Sequence, residues 1–211
     1  MRPSARRRPV LAAALAAVAG AAAGCDLPDA PRPGWEPVDW RRSAPSGSPS
    51  AGALAGGVRL PAEGRHFATW EPGRNASPSR PWRRWGADRT VRALLAVAAA
   101  HRRAHPGAPR LLVGDLSRPG GGPFGPRFGG PGHVSHQNGL DVDVYYPRRD
   151  RLEAAPTRVA QIDRRLAQDL VDRFLAAGAR VVFVGPRTGL TGPSERVVAL
   201  PRHDNHLHAR F

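Results

Sequence analysis

One cysteine, one methionine and no lysine stand in this chain of 211 residues. The lone Cys25 has no partner for an internal disulfide, so a hydrophobic core must hold any folded domain together. Because the only cysteine stands this close to the N-terminus, a domain further along has no thiolate to offer as a zinc ligand or a nucleophile. Without lysine, all 32 basic residues are arginine, and the formal net charge is +15. A balance of that sign suits an anionic partner such as nucleic acid, a membrane surface or an acidic polymer. The arginines are scattered, however, rather than gathered with interleaved aromatics as nucleic-acid binding requires, so no nucleic acid is expected as a partner. Long apolar runs are scarce too: Val10 to Val18 is too short for an ordinary membrane span.

That apolar run follows Arg2, Arg6, Arg7 and Arg8 and leads through small residues to Cys25, the logic of a secretory signal. Ala22-Ala23-Gly24-Cys25 resembles the lipobox of bacterial lipoproteins, which implies a lipid anchor at Cys25; plain cleavage at the small residues is the alternative. Residues 1–25 are therefore read as a lipoprotein-like signal peptide. Residues 26–57, rich in Pro, Ala, Gly and Ser, read as a flexible tether with a reach of roughly 30 Å. Residues 58–211 form the expected domain.

Within that domain, Val91, Leu94, Leu95 and Val97 recur at helical spacing from Asp88 to His105, before the Pro106-Gly107 stop. A second helix is expected over 157–177, where Val159, Ile162, Leu166, Leu170 and Phe174 follow the same period and Gly178 ends it. Strands are expected at 111–117, 140–146, 180–185 and 196–200, with a hairpin-like finish through 205–211. Helices interleaved with such strands predict an α+β fold: a mainly antiparallel central sheet flanked by helices, with the site on a sheet face.

Five of the eight histidines sit in two short stretches, GHVSHQNGLDVDVYY (132–146) and HDNHLHARF (203–211). From Leu140 the chain alternates, placing Asp141 and Asp143 on the face opposite Val142 and Val144. Asn138-Gly139 is a turn signal that folds His136 back towards Asp143. In the last stretch His206 and His208 share a face. If the two strands are neighbours, His136, Asp143 and His208 converge as two imidazoles and one carboxylate with an open fourth position, the donor set of a catalytic zinc site. Asp141, Asp204 and Asn205 are candidates to orient those histidines from behind. His101 and His105 have the spacing of a zinc helix but lack its glutamate base, and they lie in a basic last turn where histidine complements the helix dipole.

GDLSRPGGGPFG, HVSHQNGLDVDVYY and HDNHLH together resemble the penicillin-insensitive murein endopeptidase family, one of the zinc peptidases related to D-Ala-D-Ala carboxypeptidases and dipeptidases and to the hedgehog domain. The likeness runs from GVRLPAEG (57–64) through RRWG (83–86) to Phe211. It implies an extracytoplasmic, periplasmic zinc metallopeptidase that hydrolyses D-alanyl–meso-diaminopimelyl cross-links of peptidoglycan, with one Zn2+ per domain. It further implies His136, Asp143 and His208 as ligands, His206 as general base, Arg118 facing the substrate carbonyl, and His133 and His203 in supporting places. A carboxypeptidase or dipeptidase acting on stem peptides, and a zinc-binding cell-wall module without catalysis, use the same donor set and stay open at this point.

Overall fold

A computed structural model describes residues 35–128 and 132–211; the expected signal peptide, Cys25 and the first part of the expected tether lie outside the described residues. Along the chain come β1 (Ala44–Ser48), β2 (Ala51–Ala55), β3 (Val58–Arg59), β4 (Phe67–Thr69), β5 (Trp85–Gly86), α1 (Asp88–Ala104), β6 (Leu111–Val113), β7 (Asp141–Tyr145), α2 (Arg164–Ala176), β8 (Val181–Val184), β9 (Val197–Ala199) and β10 (His206–Arg210). The fold is α+β. Six strands form one sheet in the order β4-β6-β7-β10-β8-β9. Its four central strands pair antiparallel, and the outermost strand on each side, β4 and β9, pairs parallel to its neighbour.

The antiparallel centre follows from burial. In β10, Leu207 and Ala209 are fully buried, and in β7 Val142 and Val144 are too, so both strands need a covered face. They share it with Val91 and Leu94 of α1, Leu170 and Phe174 of α2, and Val182 of β8 in one core cluster. Full burial of each such Leu or Phe contributes about 1.5–3 kcal/mol, the main stabilisation open to a domain without disulfides. Alternation then sends Asp141, Asp143, His206 and His208 to the other face.

The expected hairpin-like finish is replaced by a different order. β10 inserts between β7 and β8, while β9, only partly covered, runs parallel to β8 at the edge. The second helix also starts later than its periodicity predicts. Val159–Gln161 is a 3-10 turn, and α2 begins after Asp163, whose carboxylate accepts the Leu166 amide at 3.2 Å. A good N-cap outweighs a continuing apolar period. The expected strand over 111–117 ends at Val113.

Part of the stretch read as tether is ordered. β1 and β2 form an antiparallel hairpin, and Leu54 in it is buried. Gly122 donates to the Gly52 carbonyl at 3.1 Å and Gln137 to that of Pro49 at 2.9 Å. Ser43 Oγ accepts the Asp88 amide at 2.9 Å, capping α1 from a distant segment. Trp40 lies under the Arg92 guanidinium, 4.0 Å from its ring centre. Small residues read as flexible because they lack side-chain bulk, yet the same smallness lets backbone pack on backbone here.

Candidate metal centre

Three cross-strand pairs line the open face of β7 and β10: Asp141 opposite Arg210, Asp143 opposite His208, and Tyr145 opposite His206. The loop before β7 supplies the remaining imidazoles. His136 takes a left-handed φ of 67°, and Gly139 one of 74°. The Asp141 carboxylate accepts the His136 amide at 2.9 Å, so the strand holds the bend it follows. Leu140 N donates to the Asn138 side chain at 3.3 Å, closing the turn the Asn-Gly pair signals.

His136 Nδ1 donates to the Leu116 carbonyl, leaving Nε2 as an acceptor aimed at Asp143 Oδ1, 3.3 Å away. His208 Nδ1 lies 3.2 Å from the same oxygen, and its Nε2 lies 3.1 Å from Asp141 Oδ1. Asp141 is itself tied to Arg210 Nε at 2.8 Å. His206 Nε2 stands 3.9 Å from Asp143 Oδ1, with its Nδ1 donating to Asn205 Oδ1 at 2.7 Å. Next to it is His203, the two rings 4.7 Å apart, and His203 Nδ1 is held by the Pro201 carbonyl at 3.0 Å.

His136 Nε2 and Asp143 Oδ1 are both buried, and neither has a hydrogen-bond partner. Donor atoms at the corners of a tetrahedron with bonds of about 2.0–2.1 Å stand about 3.3–3.4 Å apart. The distances of 3.3 Å and 3.2 Å from Asp143 Oδ1 to the two imidazole nitrogens match that spacing. Two groups of possible metal donors overlap here: His133, His136 and Asp143, and His136, Asp141 and His208. Imidazole nitrogens beside carboxylate oxygens are donors of the kind that zinc takes.

The electrostatics agree. Burial works to raise the pKa of Asp143, but His136 and His206 hold it well below the usual carboxylate range. Asp141 is depressed in the same way by His208 and His136 against its burial. Burial works to lower His208, and the two carboxylates overcome it and raise the group to about 9. Two carboxylates thus pull positive charge into this pocket, where protons and a divalent cation compete for the same place. His206 differs: burial takes it down to about 4 in spite of Asp143.

A family model described as penicillin-insensitive murein endopeptidase matches residues 45–179. The chain belongs to that family. Its start at residue 45 agrees with the ordered hairpin, and β10, with His206 and His208, lies beyond its end. A penicillin-insensitive murein endopeptidase of Haemophilus influenzae is 31% identical over 120 residues, which are 52% of this chain and 37% of that protein. One from Salmonella arizonae is 45% identical over 76 residues, 35% of this chain and 23% of its own length. The matched segments therefore span well under half of these relatives.

His136, Asp143, His206, His208, His133, His203 and Asp141 gather on the one sheet face. Arg118 has no hydrogen bond or ion pair with them: its Nη1 donates to the Pro123 carbonyl at 2.8 Å, and its guanidinium lies 4.0 Å from the Phe128 ring centre. Four residues not expected there also border the face: Asp115, 2.7 Å from His133 Nε2; Arg83, paired with Asp115; Tyr145, its ring 5.7 Å from that of His206; and Phe124, its ring 4.9 Å from that of His133. Asp115 carried a signal, a carboxylate just past the end of a buried strand; Arg83 carried none among so many arginines. His101 and His105 meet Asp169 of α2, at 2.6 Å and 3.3 Å. Arg173 already binds both oxygens of Asp169, at 2.6 Å and 2.9 Å, so this trio reads as an interhelical clasp.

Proposed function

We propose that the protein is a zinc-dependent murein endopeptidase that hydrolyses D-alanyl–meso-diaminopimelyl cross-links of peptidoglycan outside the cytoplasm. The observation carrying this reading is the convergence of His136 Nε2 and His208 Nδ1 on one orphaned oxygen of Asp143, within a chain of this family. Family membership and the names of the relatives support the murein substrate. His136, Asp143 and His208 would hold one zinc ion. When bound, such an ion polarises a scissile carbonyl and lowers the pKa of a water towards about 7.

The chain's own groups supply the rest. His206 keeps its Nδ1 proton on Asn205, so its Nε2 lone pair faces the cluster, placed to accept a proton from an attacking water. Asp141 orients His208 and pins the His136 bend, holding two of the three donors. His203 borders the site beside His206. Arg118, once turned off Pro123, would meet the charge that develops on the carbonyl oxygen. The anchor at Cys25 would place this chemistry at a membrane facing the cell wall.

Mass spectrometry of cross-linked muropeptide dimers incubated with the protein tests this, with and without a chelator. Chelator-sensitive conversion of dimers to monomers is expected. Intact dimers beside monomeric pentapeptides that lose D-Ala would make it a carboxypeptidase. Zinc bound without either cleavage would leave a binding module.

A further inference from the structure

Arg83 and Asp115 lie outside the donor set, yet each side chain is only 1% exposed. Arg83 Nε donates to Asp115 Oδ1 at 2.6 Å and Nη2 to Oδ2 at 2.9 Å, a bidentate clamp. A third N–H, on Nη1, reaches the Phe128 carbonyl at 2.8 Å. Burying such a pair costs several kcal/mol of desolvation per ion, and well-packed apolar residues are often as good for stability. The burial therefore calls for a purpose besides folding.

Asp115 Oδ2 also meets His133 Nε2 at 2.7 Å. An arginine-paired carboxylate only accepts, so Nε2 carries a proton, and in the neutral ring Nδ1 keeps its lone pair. That Nδ1 points to the cluster, 3.9 Å from Asp143 Oδ2. Phe124 backs the ring at 4.9 Å, and the His136 ring stands 4.4 Å away on the cluster side. Asp115 is also registered to the ligand strand: its carbonyl accepts the Asp143 amide at 2.9 Å, and Gly114 N donates to the Asp143 carbonyl at 2.8 Å. The carboxylate that aims His133 is thus built into the same backbone that places Asp143.

We propose that Asp115, braced by Arg83, is a positioning residue that fixes the tautomer and direction of His133, so that an acceptor nitrogen faces the reacting groups. The inference rests on the endopeptidase reading. His133 acts at the mouth of the donor cluster, and Asp115 acts through it. An isosteric Asp115→Asn change turns an acceptor into a donor towards Nε2 and favours the opposite tautomer, with an N–H facing Asp143.

The test is a kinetic cycle on the full chain with muropeptide dimers, using Asp115→Asn, His133→Ala and the double variant. A fall in kcat of about 10–100-fold is expected for each, with KM and zinc stoichiometry unchanged. The double variant should lose no more than the worse single, because the two residues form one unit. Losses that multiply, an unchanged kcat in Asp115→Asn, or an effect confined to KM overturns the proposal. Ring 15N chemical shifts of His133 in the wild-type protein give a second reading that needs no variant. A proton on Nε2 supports the proposal and one on Nδ1 overturns it. Wild-type protein that cleaves nothing would sink the endopeptidase reading while leaving the tautomer result standing.

Discussion

Asp143 Oδ1 lies 3.2 Å from His208 Nδ1 across the β7–β10 pairing and 3.3 Å from His136 Nε2 in the loop before it. One oxygen links two elements, and Asp141 stands behind both imidazoles, at 2.9 Å from the His136 amide and 3.1 Å from His208 Nε2. Asp141→Asn keeps the shape and removes the charge that orients them. Zinc affinity is expected to fall about 10–100-fold, read by chelator competition. An unchanged affinity would show that the ligands need no such support.

Gly139 sets the return from His136 into β7. At φ 74° an added Cβ would lie 2.7 Å from Leu54 Cδ2 and 2.8 Å from Ala87 N. Gly139→Ala is expected to cost about 1–3 kcal/mol of stability through strain and that clash. A denaturant midpoint shift measures it.

His101 is buried between the helices with Asp169, His105 and Arg173 against it, and burial lowers its pKa below the ordinary 6.5 despite Asp169. A folded-state pKa below the unfolded one means that the unfolded chain takes up the proton first as pH falls. The contribution of neutral His101 is therefore complete above about 6.5, declines below it and levels out once the folded pKa is passed, with a slope of at most about 1.4 kcal/mol per pH unit. Unfolding curves at several pH values should be flatter below pH 6.5 for His101→Gln than for the wild type. Equal slopes would show that His101 does not shape the pH dependence of stability.

Arg118 rests on Phe128 and Pro123, away from the cluster. If it turns in to meet developing charge, Arg118→Ala lowers kcat on the order of 10²–10³-fold while zinc content stays the same. A kcat within twofold of wild type would leave Arg118 as loop packing alone.

Much of the candidate site was legible because its parts sit on alternating strands. Asp141, Asp143, His206 and His208 share a face by period alone, and Asn138-Gly139 announces the turn that returns His136. What periodicity could not give was partnership. Nothing local tells β10 to insert between β7 and β8 rather than pair with β9, since that choice depends on which strands most need a buried face. The β1–β2 hairpin hid behind a composition that usually stays unfolded, because its contacts are backbone to backbone. Arg83 and Asp115 are far apart in sequence, and their clamp exists only once β6 and the 3-10 turn at Pro81–Arg83 are packed. The late start of α2 shows the opposite case, in which one capping residue, Asp163, outweighed an apolar period that continued through it.

If His136, Asp143 and His208 hold one zinc ion, X-ray absorption at the zinc edge of the purified full chain reads their shell. One zinc per chain is expected, with imidazole nitrogens at about 2.0–2.1 Å and a carboxylate oxygen at about 2.0–2.2 Å, and loss of that shell in Asp143→Ala. A shell of oxygens without imidazole, or the same shell persisting in Asp143→Ala, would contradict that ligand set.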